Sequence, residues 1–282
     1  LRGDASLQVV SLGAFGENDI RFTGNGDVRV GRMEVGLSQD GELIIGAESG
    51  ELPPDVVVTG NTIASTYLIT LTDADTPVRF TFADNALALG NELNTGELRA
   101  EFGGESWVEL SGNTVSLRHG HVELNSGGTT TLTFAGNQVH LVEPSSAGAL
   151  VRGSGDVRLA DNVFDTVDPF LGTSALWVQL VDEPLELTAT GNTFAGFEIA
   201  LNFAGPVVQV PLDARVNDNV FDMEFTALPQ VASLHSIGDV IDATSNVWGD
   251  ETDAAVLATY VALSGNTGTW GGGIDIDPVK TP

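Results

Sequence analysis

The decapeptide LELTATGNTF, Leu185 to Phe194, carries two patterns at once. Its first half alternates: Leu185, Leu187 and Ala189 face one way, Glu186 and Thr188 the other, the period of a strand with one buried face. Its second half is a turn, Thr190-Gly191-Asn192, and Phe194 follows two residues after the asparagine. The same ending recurs as VTGNTI from Val58, FADNAL from Phe82, LSGNTV from Leu110, FAGNQV from Phe134, LADNVF from Leu159, VNDNVF from Val216 and ATSNVW from Ala243. The asparagines Asn61, Asn85, Asn113, Asn137, Asn162, Asn192, Asn219 and Asn246 are 24, 28, 24, 25, 30, 27 and 27 residues apart. A weaker copy, FTGNGDV, puts Asn25 a further 36 residues upstream.

A fixed period with strand-like filling is the signature of a solenoid. Within one repeat the alternation resumes three times, at Val108 and Leu110, Val115 and Leu117, and Val122 and Leu124. The expected fold is therefore all-β, a single-stranded parallel β-helix of about nine to ten coils with three short strands per coil, right-handed by the preference of parallel crossovers. The asparagine is expected to take the left-handed backbone of the corner and to stack its amide on the coils above and below. Residues 1–24 read as an N-terminal strand, cap or assembly segment, 25–250 as the β-helix and 251–282 as a C-terminal cap.

Charge narrows the partners. With 39 acidic and 11 basic residues the net charge is -28, a field that repels nucleic acid and anionic membranes and attracts cations. Lys280 is the one lysine, and this balance suits a salt-adapted or marine microbe, where screening relieves self-repulsion. The absence of cysteine excludes disulfides, thiolate metal sites and cysteine nucleophiles. No apolar run is long enough for a membrane span. The start at Leu1 rather than Met reads as a mature or trimmed form, with secretion or display at the cell surface expected and the export signal inferred.

The C-terminal sequence extends the reading to a family. Ser245-Asn246-Val247-Trp248-Gly249-Asp250 is similar to the Asn-Trp-Trp-Gly closing turn of right-handed parallel β-helix proteins of the pectin-lyase-like superfamily, with Val247 replacing the first tryptophan. Glu251 to Ala262 reads as a short helix, and Gly273 to Pro278 resembles the terminal strand and proline of such proteins. The resemblance covers nearly the whole chain. It implies polysaccharide lyases, glycoside hydrolases, epimerases, adhesins, phage spikes and autotransporter passengers alike, so it names no activity.

Counting back from each asparagine predicts outward columns. Six residues before it stand Asp55, Arg79, Trp107, Thr131, Asp156, Glu186, Asp213 and Val240; four before it stand Val57, Thr81, Glu109, Thr133, Arg158, Thr188, Arg215 and Asp242. Asp156, Glu186 and Asp213 would then lie about 4.8 Å apart on successive coils, a candidate calcium site, with Arg158 and Arg215 as candidate catalytic bases by position alone. Lyases of the resembled fold use acidic residues to hold calcium at a uronate and an arginine to abstract the proton. The other reading is a solvated face of paired charges.

Arg118-His119-Gly120-His121 reads as a turn or strand-edge histidine pair, since no third ligand stands at zinc-site spacing and no adjacent aspartate pair supports hydrolase chemistry. Trp107 and Trp177 fall between inward positions and are expected to face outward, on different strands, as sugar-stacking or protein contacts. Trp248 reads as core or cap, and Arg2-Gly3-Asp4 as a chance match to an integrin tripeptide. The leading functional expectation is an exported structural or adhesive protein needing no cofactor, with its end strands available for homo-oligomer or filament assembly. The alternative is a calcium-assisted lyase or other enzyme acting on acidic glycans, and the third reading a non-catalytic carbohydrate binder.

Overall fold

A computed structural model of the chain describes residues 5–7, 11–13, 20–24, 28–31, 34–36, 42–47, 55–66, 68–73, 77–90, 95–143, 147–167, 173–205, 211–222, 230–235, 240–259, 261–264, 273–277 and 279. It is an all-β parallel solenoid with an asparagine ladder. Each coil contributes three strands. One coil runs through Trp107–Ser111, Thr114–Arg118 and Val122–Ser126, which stand for its first, second and third faces. The second face is a 10-stranded sheet; the first and third merge into one 19-stranded sheet because two long strands, Ala147–Ala160 and Ser174–Thr190, run through the corner between them. At that corner Gly153 has φ +92, and a Cβ there would lie 1.9 Å from the Ser126 carbonyl oxygen, so only glycine fits.

The predicted first-face register is observed step by step. Asp55, Arg79, Trp107, Thr131, Asp156, Glu186 and Asp213 are lateral neighbours, as are Val57, Thr81, Glu109, Thr133, Arg158, Thr188, Arg215 and Asp242. The intervening residues, such as Val108, Leu110, Leu132 and Phe134, are buried. The residues two after the asparagine build a stack inside the second face. Phe164, Phe194, Phe221 and Trp248 follow one another at ring separations of 5.0, 5.2 and 4.7 Å with planes within 12°, so Trp248 is core.

The corner corrects one expectation. The left-handed backbone belongs to the residue before the asparagine: Gly60, Asp84, Gly112, Gly136, Asp161, Gly191, Asp218 and Ser245 all have φ between 56 and 69°. Glycine, or a short polar residue that tolerates this region, fits there. The asparagine is freed to turn inward and serve the ladder. Asn137 shows the rung: its Oδ1 accepts from the backbone N and the Nδ2 of Asn113, and its own Nδ2 donates to Leu110 O and to Asn162 Oδ1. Buried amides are thereby satisfied in both directions along the coil axis.

The coil count is also corrected. About six turns, between Asp55 and Ala204, have all three strands together with a described packed interior, fewer than nine to ten. Before them the side chains of residues 43–46 alone are described; after them the first and second faces continue with buried Leu212, Val216, Phe221, Ile241 and Trp248, while on the third face the side chains of Gln230–His235 lie outside the description. Near the C-terminal end Ala254–Ala258 is helical, with the Asp253 carboxylate accepting from Ala255 N at its start, and Gly273–Asp275 is a strand paired with Val240–Asp242. Asn25, Arg2-Gly3-Asp4, Trp270 and Lys280 lie outside the described residues. No helix among the described residues is long and apolar enough to cross a membrane.

Candidate functional site

The acidic column predicted for calcium is in place as a row of lateral neighbours, and its arginines are committed within their own strands. Arg158 donates to both carboxylate oxygens of Asp156, and Arg215 Nη2 lies 3.1 Å from Asp213 Oδ2. The Asp156 carboxylate and its hydrogen bonds hold the Arg158 guanidinium above its ordinary pKa. These pairs are largely exposed, so each is worth little to stability.

The outward position of Trp107 produces a different surface. Its neighbours in the column are Arg79 and Thr131, and the short threonine leaves the indole 62% exposed. A shallow groove of about 500 Å³ runs across this face, lined by Arg79, Thr81, Trp107, Glu109, Thr131 and Thr133. Its charges are one cation and one carboxylate, so the groove is locally balanced on a strongly acidic protein. An apolar plane ringed by hydroxyls, a guanidinium and a carboxylate matches a pyranose ring, whose C–H face stacks and whose hydroxyls hydrogen-bond.

Trp177 also faces away from the interior, between buried Leu176 and Val178, but on the third face beside Leu150 and Asn202. It is half-buried, and its Nε1 is enclosed without a hydrogen-bond partner. Trp107 and Trp177 therefore belong to different faces, as expected.

Sequence reasoning missed the most organised polar group. On the third face Leu98 pairs with Val122 and Arg99 with Glu123, which brings Glu97 beside His121. Glu97 and Glu123 are 8% and 4% exposed although they face outward. Two arginines hold them: Arg99 Nε lies 3.0 Å from Glu97 Oε1 and 3.2 Å from Glu123 Oε2, and Arg152 Nη1 lies 3.0 Å from Glu123 Oε1. Burial, and then the hydrogen bond with Glu123, push the Glu97 carboxyl up to about 7 against the pull of Arg99. Burial also opposes ionisation of Glu123, but the hydrogen bond from Glu97 and the two arginines outweigh it and keep that carboxyl below its ordinary range. Burial holds the His121 imidazole below its usual pKa, so it is neutral at pH 7. His119, with φ 55°, is the turn residue of the pair, whereas His121 joins this group.

No protein-family model matches the chain, and no curated protein or solved structure matches it.

Proposed function

We propose that the protein is an exported, extracellular adhesive solenoid whose first face binds neutral glycan at Trp107. The observation that carries the reading is the exposed indole in the middle of a regular sheet, flanked by threonines and by one charge of each sign. An exposed indole offers a flat apolar face with an N–H at its edge, which suits contact with a ligand that is apolar on one side and polar at its rim. The net charge of -28 favours uncharged sugars, since polyanionic glycans are repelled at long range. A right-handed sense for the coil, a cap formed by 251–282 and a place in the pectin-lyase-like superfamily belong to the same reading, supported by the Asn-Val-Trp-Gly turn, the short helix and the strand after it.

Display on immobilised neutral and acidic glycans tests it. The wild-type chain is expected to retain a neutral glycan that Trp107→Ala does not retain, with both variants melting at the same temperature. Equal retention by the two would defeat the reading.

The acidic-glycan lyase remains a second reading because Asp156, Glu186 and Asp213 do share a column. Calcium there has to compete with the guanidinium groups of Arg158 and Arg215. Release of unsaturated products from an acidic polysaccharide, dependent on calcium and on those arginines, is what it requires.

A further inference from the structure

The third-face group has the composition and spacing of a metal site. Glu97, His121 and Glu123 each present a ligand atom, and these atoms lie within 4.8 Å of one another. His121 Nε2 is 3.9 Å from Glu97 Oε1 and 4.0 Å from Glu123 Oε2, beyond hydrogen-bond reach of either oxygen. A tetrahedral ion with bonds of about 2.0–2.1 Å separates its ligands by about 3.4 Å. The two imidazole–carboxylate separations therefore need to close by about half an ångström.

We propose that Glu97, His121 and Glu123 bind a divalent transition ion, with zinc as the best fit. One imidazole with two carboxylates suits zinc and disfavours calcium, which prefers oxygen ligands alone. The supporting hydrogen bonds are already present. Arg99 Nε touches the same two oxygens that face His121, and Arg152 touches Glu123; the ion therefore takes the remaining lone pairs of those oxygens beside Arg99, while the guanidinium groups fix the orientation of two ligands that come from neighbouring coils. Two carboxylates offer about eight lone-pair sites, more than these guanidinium contacts use. The strands beneath are anchored by Leu98, Val122 and Leu124, which are buried in the core. Three protein ligands leave a tetrahedral ion one position for water or an incoming group.

This site is independent of the Trp107 face. Calorimetric titration of the full chain with zinc chloride, in excess calcium to occupy loosely binding surface carboxylates, is the test. The wild type is expected to bind one zinc ion saturably and to melt at a higher temperature with zinc, while Trp107→Ala does the same. His121→Ala, and His121→Gln as the variant closer in size, are expected to weaken binding at least tenfold and to lose the thermal shift. No saturable binding, equal affinity in both histidine variants, or displacement of zinc by calcium would overturn the proposal.

Discussion

Asn137→Ala probes the ladder in its middle. Asn137 is fully buried, and its side chain makes four hydrogen bonds of 2.9–3.0 Å: two accepted from Asn113 and two donated, to Leu110 O and Asn162 Oδ1. The substitution does not orphan every partner, because Asn113 Nδ2 still reaches Phe82 O and Asn162 Oδ1 still accepts from Asn137 N. The backbone N–H of Asn113 loses its side-chain acceptor inside the protein. Four bonds at about 1 kcal/mol each, one of them leaving a buried donor unpaired, give a loss of about 3–5 kcal/mol. Urea unfolding followed by circular dichroism reads this, with the exposed neighbour Gln138→Ala as a control expected within about 0.5 kcal/mol. Asn137→Asp sharpens the test. It keeps the shape but turns both donations into oxygen–oxygen contacts, so its cost is expected to be largest at neutral pH and to shrink as acid protonates the new carboxyl. A loss under about 1 kcal/mol for Asn137→Ala would refute the idea that the ladder holds the corners.

Further outcomes follow from the packing and the charges. Phe164→Ala removes the ring that stands between Phe134 and Phe194 and is expected to cost about 3–5 kcal/mol in the same unfolding assay. Gly191→Ala combines φ +69 with a Cβ 2.3 Å from Asp161 Oδ1 and is expected to destabilise by about 1–2 kcal/mol, measured by melting. Glu97 holds its proton to about pH 7 when folded, against an ordinary value of 4.5, so the native state binds more protons between those values. Its contribution is present below about 4.5 and lost as pH rises through 7, a decline of about 3 kcal/mol that Glu97→Gln should abolish in chelator-treated buffer. Arg158→Ala removes an exposed ion pair and is expected to change stability by less than about 1 kcal/mol.

The repeat was legible because one corner is rigid. Every coil turns in the same way at the asparagine, so a count of six or four residues back lands on the same column from Asp55 to Asp213. The third face escaped that count for a physical reason. Glu97 and His121 both stand 16 residues before the next asparagine (113 − 97 and 137 − 121), and Arg99 and Glu123 both stand 14 before it (113 − 99 and 137 − 123). Counting there would have aligned them. One coil later the rule fails, since Glu123 pairs with Leu150, only 12 residues before Asn162. The corner between the third and first faces changes length, and its long through-running strands carry no marker residue. The role of His121 was equally hidden, because one carboxylate neighbour, Glu97, comes from a different coil and the other, Glu123, two residues on, reads as an ordinary outward position. The asparagine's own conformation was misread for a simpler reason: a Gly-Asn or Asp-Asn pair says that one of the two is left-handed, and burial decides which.

Glycan binding on the first face rests on Trp107. Calorimetric titration of the wild type and Trp107→Ala with the neutral oligosaccharide best retained in the display experiment measures it most directly. Saturable binding by the wild type, reduced at least tenfold by the substitution and little changed by added salt, is the predicted result. Undiminished affinity in Trp107→Ala, or binding confined to acidic glycans and abolished by salt, would contradict it.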